Sequence, residues 1–246
     1  MIGYFLAVLV GLSLGLLGGG GSILTVPILV YIMNIPTKTA IPLSLAIVGI
    51  TSIFGVMGHL KNKNIDFKLT ALFGPISIFG TILGTQISSF VSGTLQLALF
   101  AIIMILASFF MYKGRSHLNN NSSNNEIKYF WVLIQGLIVG IITGLVGVGG
   151  GFLIVPALVL LTNTPMKKAL GTSLLLISFN SFSGFLGYLN KTNIDWAFLM
   201  NFSLLSIVGI LIGTKLVKYV PQEKLKKAFA IFLLIMGSFI LYKNIF

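Results

Sequence analysis

The sequence has no cysteine and very little charge. Without cysteine the chain has no disulfide framework, no thiolate nucleophile and no zinc–thiolate site. Only 8% of the 246 residues are charged, and just four of these are acidic. A soluble domain normally carries about 25% charged residues. The composition therefore excludes an ordinary soluble globular fold.

Apolar residues take the place of the missing charge. They make up 56% of the chain, and the mean hydropathy is +1.04. Several apolar runs exceed the ~18 residues that indicate a membrane-spanning helix. We therefore predict an all-α polytopic protein in the cell (plasma) membrane, surrounded by the lipid bilayer. The apolar segments run approximately over 2–33, 39–60, 69–90, 95–112, 129–162, 169–189, 196–214 and 228–246.

The net charge of +12 raises the question of a nucleic-acid partner. The basic residues are scattered between apolar segments, however, and form neither a stripe nor a recognisable module. This distribution favours cytoplasmic loops that follow the positive-inside rule. We expect no nucleic-acid partner.

The two halves of the chain are copies. A shift of 129 positions matches nine of the fifteen residues in GLLGGGGSILTVPIL (15–29) with GLVGVGGGFLIVPAL (144–158), and Asn64-Ile65-Asp66 recurs as 193–195. The polar stretch between the halves has no apolar periodicity. We predict a first membrane repeat at 1–113, a polar cytoplasmic linker at 114–128 and a second membrane repeat at 129–246. Internal duplication is typical of secondary transporters.

The two glycine-containing segments, 2–33 and 129–162, are too long for one membrane span and too short for two full spans. As one helix the first would be ~48 Å long, against a hydrocarbon core of ~30 Å. If all eight segments cross once, the basic residues divide evenly between the two faces. If 129–162 enters and returns, thirteen of the sixteen basic residues share one face and only Lys38, Lys191 and Lys243 lie opposite. The positive-inside rule favours the second arrangement.

Each half is therefore predicted to be a Gly-broken hairpin followed by three transmembrane helices. The charges test only the second hairpin, and whether the first glycine segment returns or spans stays open. An odd number of crossings per half makes the two repeats inverted in topology. Both termini are then expected outside the cell, with the linker in the cytoplasm.

The glycine clusters predict breaks in the helices. Glycine is disfavoured by about 1 kcal/mol relative to alanine inside a helix, and non-helical backbone at membrane depth needs protein or a water-filled cavity around it. A helix that restarts after the break presents unpaired amides with a partial positive charge, which bind anions. The alternative role is close helix packing, which we assign to the GxxxG motifs Gly80/Gly84 and Gly209/Gly213.

The two glycine–proline segments, together with Ala169-Leu-Gly-Thr-Ser-Leu174, resemble the signature of the TauE/SafE sulfite exporter family of membrane permeases. The resemblance covers essentially the whole chain. It implies export or uptake of sulfite, sulfonates and related small organic anions. In the first half Pro42 and Leu43 stand where the second half has Gly171 and Thr172, so a contact through the Thr172 hydroxyl has no counterpart.

We predict a secondary transporter for a small anion that works by alternating access. The alternatives are an anion channel and a non-transporting membrane scaffold, and a homo-oligomer is left open. An enzyme is disfavoured, and no cofactor or metal is expected, because the spans hold no acid and the chain has only two histidines. Pro27 and Pro156 are expected to kink or terminate the restarted helices. The predicted substrate-binding residues are Gly18, Gly19, Gly20, Gly21, Ser22, Ser44, Gly147, Gly149, Gly150, Gly151, Thr172, Ser173 and Asn180.

Three further polar residues lie beside apolar segments. Asp66 and Asp195 each precede a predicted helix, so we expect both to be N-caps. His59, at the end of a predicted span, has a side chain that can titrate near neutrality, although a structural role is the more common one. Because the spans lack a carboxylate, a proton that accompanies transport is expected to travel on the substrate; facilitated or sodium-linked transport remains open.

Overall fold

The structure is a computed structural model and describes residues 2–113, 129–162, 164–189, 192 and 194–245. A π-helical turn spans Ile28–Ile32, and short 3-10 turns span Ser88–Phe90 and Val217–Tyr219. The helices of the described residues are α1 Ile2–Leu17, α2 Gly20–Pro27, α3 Thr37–Leu60, α4 Phe67–Ile87, α5 Gly93–Lys113, α6 Tyr129–Val146, α7 Gly151–Leu161, α8 Met166–Tyr188, α9 Trp196–Leu216 and α10 Gln222–Ile245.

Two of these helices begin at the predicted aspartate caps. The Asp66 carboxylate accepts a hydrogen bond from the Leu69 amide at 3.1 Å, at the start of α4. The Asp195 carboxylate accepts one from the Phe198 amide at 3.0 Å, at the start of α9. Each bond satisfies one of the first-turn amides that a helix leaves without an internal partner. The N-cap predictions are confirmed.

Six of the described helices are long and apolar enough to cross a bilayer, namely α3, α4, α5, α8, α9 and α10. The other four are shorter and form two pairs, α1 with α2 and α6 with α7, each interrupted at its glycine cluster. With 16 residues, α1 is ~24 Å long, less than the ~30 Å hydrocarbon core. The predicted multi-pass helical fold is confirmed.

At each glycine break the chain turns back on itself. Gly21 of α2 lies against Val10 and Leu14 of α1, whereas a continuous helix would place Gly21 about 16 Å along the axis from Val10. In the second half Gly150 lies against Thr143 of α6. The first glycine segment is thus a hairpin, and the second changes direction at its break.

The helices of the two halves pack on each other in matched pairs. Gly11 of α1 lies against Ser206 of α9, and Gly15 lies against Thr214. Because the residue numbers rise together, α1 and α9 are parallel. A shift of 129 residues converts this pair into α6 and α4, which pack along each other in the same way.

The equivalent helices α3 and α8 form the centre of the molecule and are antiparallel. Leu45 lies against Gly184, near the end of α8, and Gly55 lies against Leu174, near its beginning. In their most apolar stretches, 78% of the residues of α3 and 72% of those of α8 are buried, against 44% or less in the other four spans. The outer equivalents α5 and α10 also run antiparallel.

An ion pair shows which loops share one end of the molecule. Lys168 Nζ, at the start of α8, lies 3.1 Å from Asp66 Oδ2, in the α3–α4 loop. If every apolar segment crossed the bilayer once, these two residues would lie on opposite faces. The ion pair therefore agrees with returning hairpins and with most of the basic loops at one face. The predicted linker, 114–128, lies outside the described residues.

Candidate functional site

The two glycine breaks meet in the interior. Gly19, directly before α2, lies backbone to backbone against Gly151, the first residue of α7, and a Cβ atom on Gly151 would be 2.6 Å from the Gly19 Cα. Only glycine fits on either side of this contact. The first turns of α2 and α7 are consequently brought together between the central helices.

A serine from the opposite half holds each break, and we call these the swapped serine bonds. The Ser173 hydroxyl of α8 lies 3.3 Å from the Gly18 carbonyl and 2.8 Å from the Leu170 carbonyl of its own helix, and it shares its one proton between them. The Ser44 hydroxyl of α3 donates to the Gly147 carbonyl. A shift of 129 residues converts one bond into the other. The central helix of each half thus contacts the break of the other half.

The second break leaves two buried backbone donors without a backbone partner in the part of the chain that the structure describes. Gly150 has φ +73°, a left-handed conformation that glycine adopts without strain, and its carbonyl accepts the amides of Leu153 and Ile154 at 2.9 Å to begin α7. Within the described chain, the amides of Val148 and Gly149 make no backbone hydrogen bond. Amides at a helix start carry partial positive charge, so this backbone is suited to an anion.

One unpartnered polar side chain faces this backbone, and two others lie elsewhere on the central helices α3 and α8. Ser181 Oγ faces Gly149, since a Cβ atom placed there would be 2.6 Å from it. Among the described residues, the Ser181 hydroxyl, its repeat equivalent Ser52 and the Asn180 Nδ2 are fully buried without a hydrogen-bond partner. An unsatisfied buried polar group costs about 1–3 kcal/mol, and such groups call for an explanation, of which a ligand is one. Sequence reasoning overlooked Ser52 and Ser181, although the 129-residue shift relates them.

Two predicted binding residues point away from the breaks. The Thr172 hydroxyl donates to the Lys168 carbonyl at 2.8 Å and accepts the Asp66 amide at 2.9 Å, at the end of the molecule that holds the ion pair. Asn180 Oδ1 accepts a hydrogen bond from Ser77 of α4 at 2.9 Å. Thr172 therefore joins the halves at one end, and Asn180 joins α8 to α4.

The remaining predicted residues lie within the hairpins. The Ser22 hydroxyl donates to the Gly19 carbonyl at 2.7 Å, inside the first turn of α2, and Gly20 packs back on Leu17 of α1. Pro27 is the last residue of α2 and is followed by the π-helical turn. Pro156 lies within α7, which continues to residue 161.

Comparison with known proteins gives a consistent result. The sequence model of the sulfite exporter TauE/SafE family matches residues 4–240. The chain is 30% identical to a probable membrane transporter protein of Methanocaldococcus jannaschii, with 96% of this chain and 94% of that protein covered. It is 29% identical to one of Xylella fastidiosa, covering 96% and 92%, and 26% identical to one of Bacillus subtilis, covering 95% and 97%. No solved structure matches.

Proposed function

The chain belongs to the sulfite exporter TauE/SafE family, and from that premise we propose that it is a secondary transporter for a small organic or sulfur-containing anion, such as sulfite or a sulfonate. Membership of the family and the multi-pass helical fold support membrane transport. The helix starts gathered at the breaks support an anion as the cargo, because backbone amides supply positive potential there without a cationic side chain.

The observation that carries this proposal is the contact between Gly19 and Gly151, flanked by the swapped serine bonds. Each half contributes one break and one serine, so movement of one half against the other changes both contacts together. The backbone contact leaves no room for an ion between Gly19 and Gly151. An anion would therefore enter when the halves separate at one end, as alternating access requires.

Inverted repeats suit this mechanism. The equivalent helices α3 and α8 are antiparallel, and so are α5 and α10. A two-fold axis that relates antiparallel spanning helices must lie in the plane of the bilayer. Together with the positive-inside rule, this arrangement supports both termini outside the cell and the 114–128 linker in the cytoplasm.

An anion channel shares this chemistry and is the second candidate. A carrier exchanges labelled for unlabelled anion with saturable counterflow, whereas a channel shows flux that is not saturated at the same concentrations. Counterflow in proteoliposomes, with sulfite, sulfate, sulfoacetate and taurine as probes, separates the two. A scaffold would give no flux of any of these probes.

The swapped serine bonds provide the sharpest test of the site. Ser44→Ala and Ser173→Ala each remove one hydrogen bond worth about 1 kcal/mol, so we expect flux to fall about fivefold or more. Ser108→Ala is the matched control, since the Ser108 hydroxyl is also buried and donates to the Ala230 carbonyl at 2.7 Å, but between α5 and α10. If all three variants lose flux equally, the serines act only through stability.

Leucine at Gly149 or Gly150 tests the backbone itself. Both positions have positive φ and close neighbours, so we expect either substitution to abolish counterflow while the protein still inserts in the membrane. Gly150→Ala is the milder companion, in case the leucine variant does not fold. Transport that survives at both positions contradicts a binding role for the backbone at the second break.

A further inference from the structure

We propose that His59 is a proton-binding site at the cytoplasmic end of the transport pathway, and that its protonation is coupled to binding of the transported anion. The inference rests on the proposed anion transport. His59 lies in the last turn of α3, is only 1% exposed, and neither ring nitrogen has a hydrogen-bond partner. No other histidine is among the described residues.

His59 lies where three elements meet. The amides of Asn62 and Asn64, in the α3–α4 loop, both donate to the His59 carbonyl at 3.1 Å. A Cβ atom on Gly171 of α8 would lie 3.0 Å from the His59 Cβ, and the neighbouring Gly58 lies against Thr214 of α9. Movement of α8 or α9 relative to α3 would therefore change the surroundings of the imidazole.

At the equivalent position in the second half, the polar group of the side chain is fully hydrogen-bonded. The residue 129 positions after His59 is Tyr188, and its hydroxyl lies 2.5 Å from Ser88 Oγ and 2.8 Å from the Gly144 carbonyl. The position equivalent to Ser88 at the His59 end is Val217, whose side chain cannot form a hydrogen bond. The two ends have diverged. At one end the Tyr188 phenol is hydrogen-bonded, and at the other the His59 imidazole has no hydrogen-bond partner in the described chain.

The charged groups on the surrounding elements are mostly positive. One acid, Asp66, is present, and it is paired with Lys168. Burial opposes a proton on His59 while no anion is near, because a buried charge without a partner is costly. The lysines of these elements are Lys61 and Lys63 in the loop, Lys68 on α4, Lys167 and Lys168 on α8, Lys215 on α9, and Lys218 in the turn that follows α9.

An anion that arrives from the cytoplasm reverses this balance. It screens the lysines and provides the partner that an imidazolium needs. The imidazole then takes one proton from cytoplasmic water as the anion binds and returns it when the anion leaves. Coupling of this kind is reciprocal, so protonation strengthens anion binding by the factor by which the anion favours protonation. The proton need not travel on the substrate.

Flux measured against cytoplasmic pH tests the inference. The probes are methanesulfonate and sulfate, whose charge is constant between about pH 5 and pH 8. We expect uptake from the cytoplasmic face to rise as the pH there falls, by at most about tenfold per pH unit for one proton. His59→Gln should transport with a flat pH profile. His117→Gln, in the linker, is the control and should keep the profile.

A second variant keeps the test valid if His59→Gln folds poorly. His59→Tyr combined with Val217→Ser rebuilds the Tyr188–Ser88 pair without a titratable group in this pH range, and its flux should also be independent of pH. A pH profile that is the same in these variants and in the parent overturns the inference and leaves the proposed transport intact. Absence of flux for every anion in the parent contradicts the transport itself.

A direct measurement needs no flux. In His117→Gln, His59 is the one histidine left in the chain, so ¹³C-labelled histidine gives a single imidazole resonance. At one fixed pH near neutrality, we expect the protonated fraction of the ring to increase on adding methanesulfonate or sulfate. A ring that stays neutral with and without these anions overturns the proposal and assigns His59 a structural role.

Discussion

The Asp66–Lys168 ion pair should stabilise one end of the molecule by an amount that a matched pair of aspartates can isolate. Asp66 both caps α4 and pairs with Lys168, whereas Asp195, its repeat equivalent, caps α9. The first-half residue that corresponds to Lys168 is Thr39, so the Asp195 end lacks the lysine. Replacing each aspartate by asparagine keeps the cap, and replacing it by alanine removes the cap.

The size of the effect follows from exposure. The Lys168 side chain is 42% exposed and that of Asp66 is 23% exposed, so the ion pair resembles a surface pair worth about 0.2–1 kcal/mol. Loss of an N-cap costs about 1 kcal/mol. We expect Asp66→Asn to lose the ion-pair contribution alone, Asp195→Ala the cap alone, and Asp66→Ala both. Asp195→Asn should be nearly neutral.

Thermal unfolding in detergent measures these differences. For a chain of this size about 1 kcal/mol corresponds to roughly 2–4 °C in the unfolding midpoint. Asp66→Ala should therefore lower the midpoint by more than Asp195→Ala does, and Lys168→Gln should match Asp66→Asn. If Asp66→Asn is as stable as Asp195→Asn, the ion pair contributes nothing and the reasoning is refuted.

The pH dependence provides a second readout of the same ion pair. Burial raises the pKa of Asp66, but the Leu69 amide and Lys168 outweigh it and hold that pKa below its usual value of 3.8. A lowered carboxyl pKa in the folded state means that this stabilisation is present at neutral pH. It is lost as the pH falls below 3.8 through the folded-state pKa. Asp66→Asn should lack this loss.

Two further predictions concern helix packing and topology. A Cβ atom on Gly84 would overlap the Ile141 carbonyl, whereas one on Gly74 would make an ordinary 3.5 Å contact with Leu176. Gly84→Ala should therefore destabilise the protein by about 1–3 kcal/mol, and Gly74→Ala hardly at all. Equal unfolding midpoints for the two variants would contradict the packing role. Because the chain has no cysteine, single cysteines report topology without background. Lys63→Cys and Lys167→Cys should react with an impermeant thiol reagent only after the membrane is opened. Phe90→Cys and Trp196→Cys should react without opening the membrane. Labelling of Lys167→Cys from outside would contradict the inverted arrangement.

Much of the fold could be read from the sequence because it depends on local properties. Apolar run length identifies the spans, and an aspartate before an apolar run identifies the starts of α4 and α9. The return of the second hairpin could be deduced from charge, since Lys167 and Lys168 lie directly after it. The first hairpin is followed by the single Lys38, so charge does not test its return, which only the repeat predicts. In the structure Gly21 lies against Val10, and the first segment does return.

The site was predicted less completely, because neighbours in sequence are not neighbours in space. Thr172 and Ser173 are adjacent on α8, but consecutive helical residues are ~100° apart around the axis. Ser173 therefore reaches the Gly18 carbonyl, while Thr172 reaches the Asp66 amide. Spacing placed both near the second glycine cluster and could not show which of them faces the break of the other half.

The divergence between the repeats also bears on how such a transporter would choose between its two open states. If inverted halves were identical, opening at either end would have the same intrinsic free energy, and only the environment would bias the choice. Here the breaks and the swapped serine bonds are retained in both halves, so the contacts at the centre are shared by both openings. The ends differ: Tyr188 is bonded to Ser88 at one, and His59 and the Asp66–Lys168 pair are at the other.

Each difference puts His59 or Lys168 where the other half has Tyr188 or Thr39, and both are at the end that we propose to be cytoplasmic. A contact can shift an equilibrium between two states only by the difference in its free energy between them. The phenol at the outer end contributes a difference that does not vary with pH near neutrality. The imidazole and the ion pair contribute differences that depend on protons, salt and anions at the inner face. The energetic bias between the two openings would thus be set at the face that we propose to be cytoplasmic.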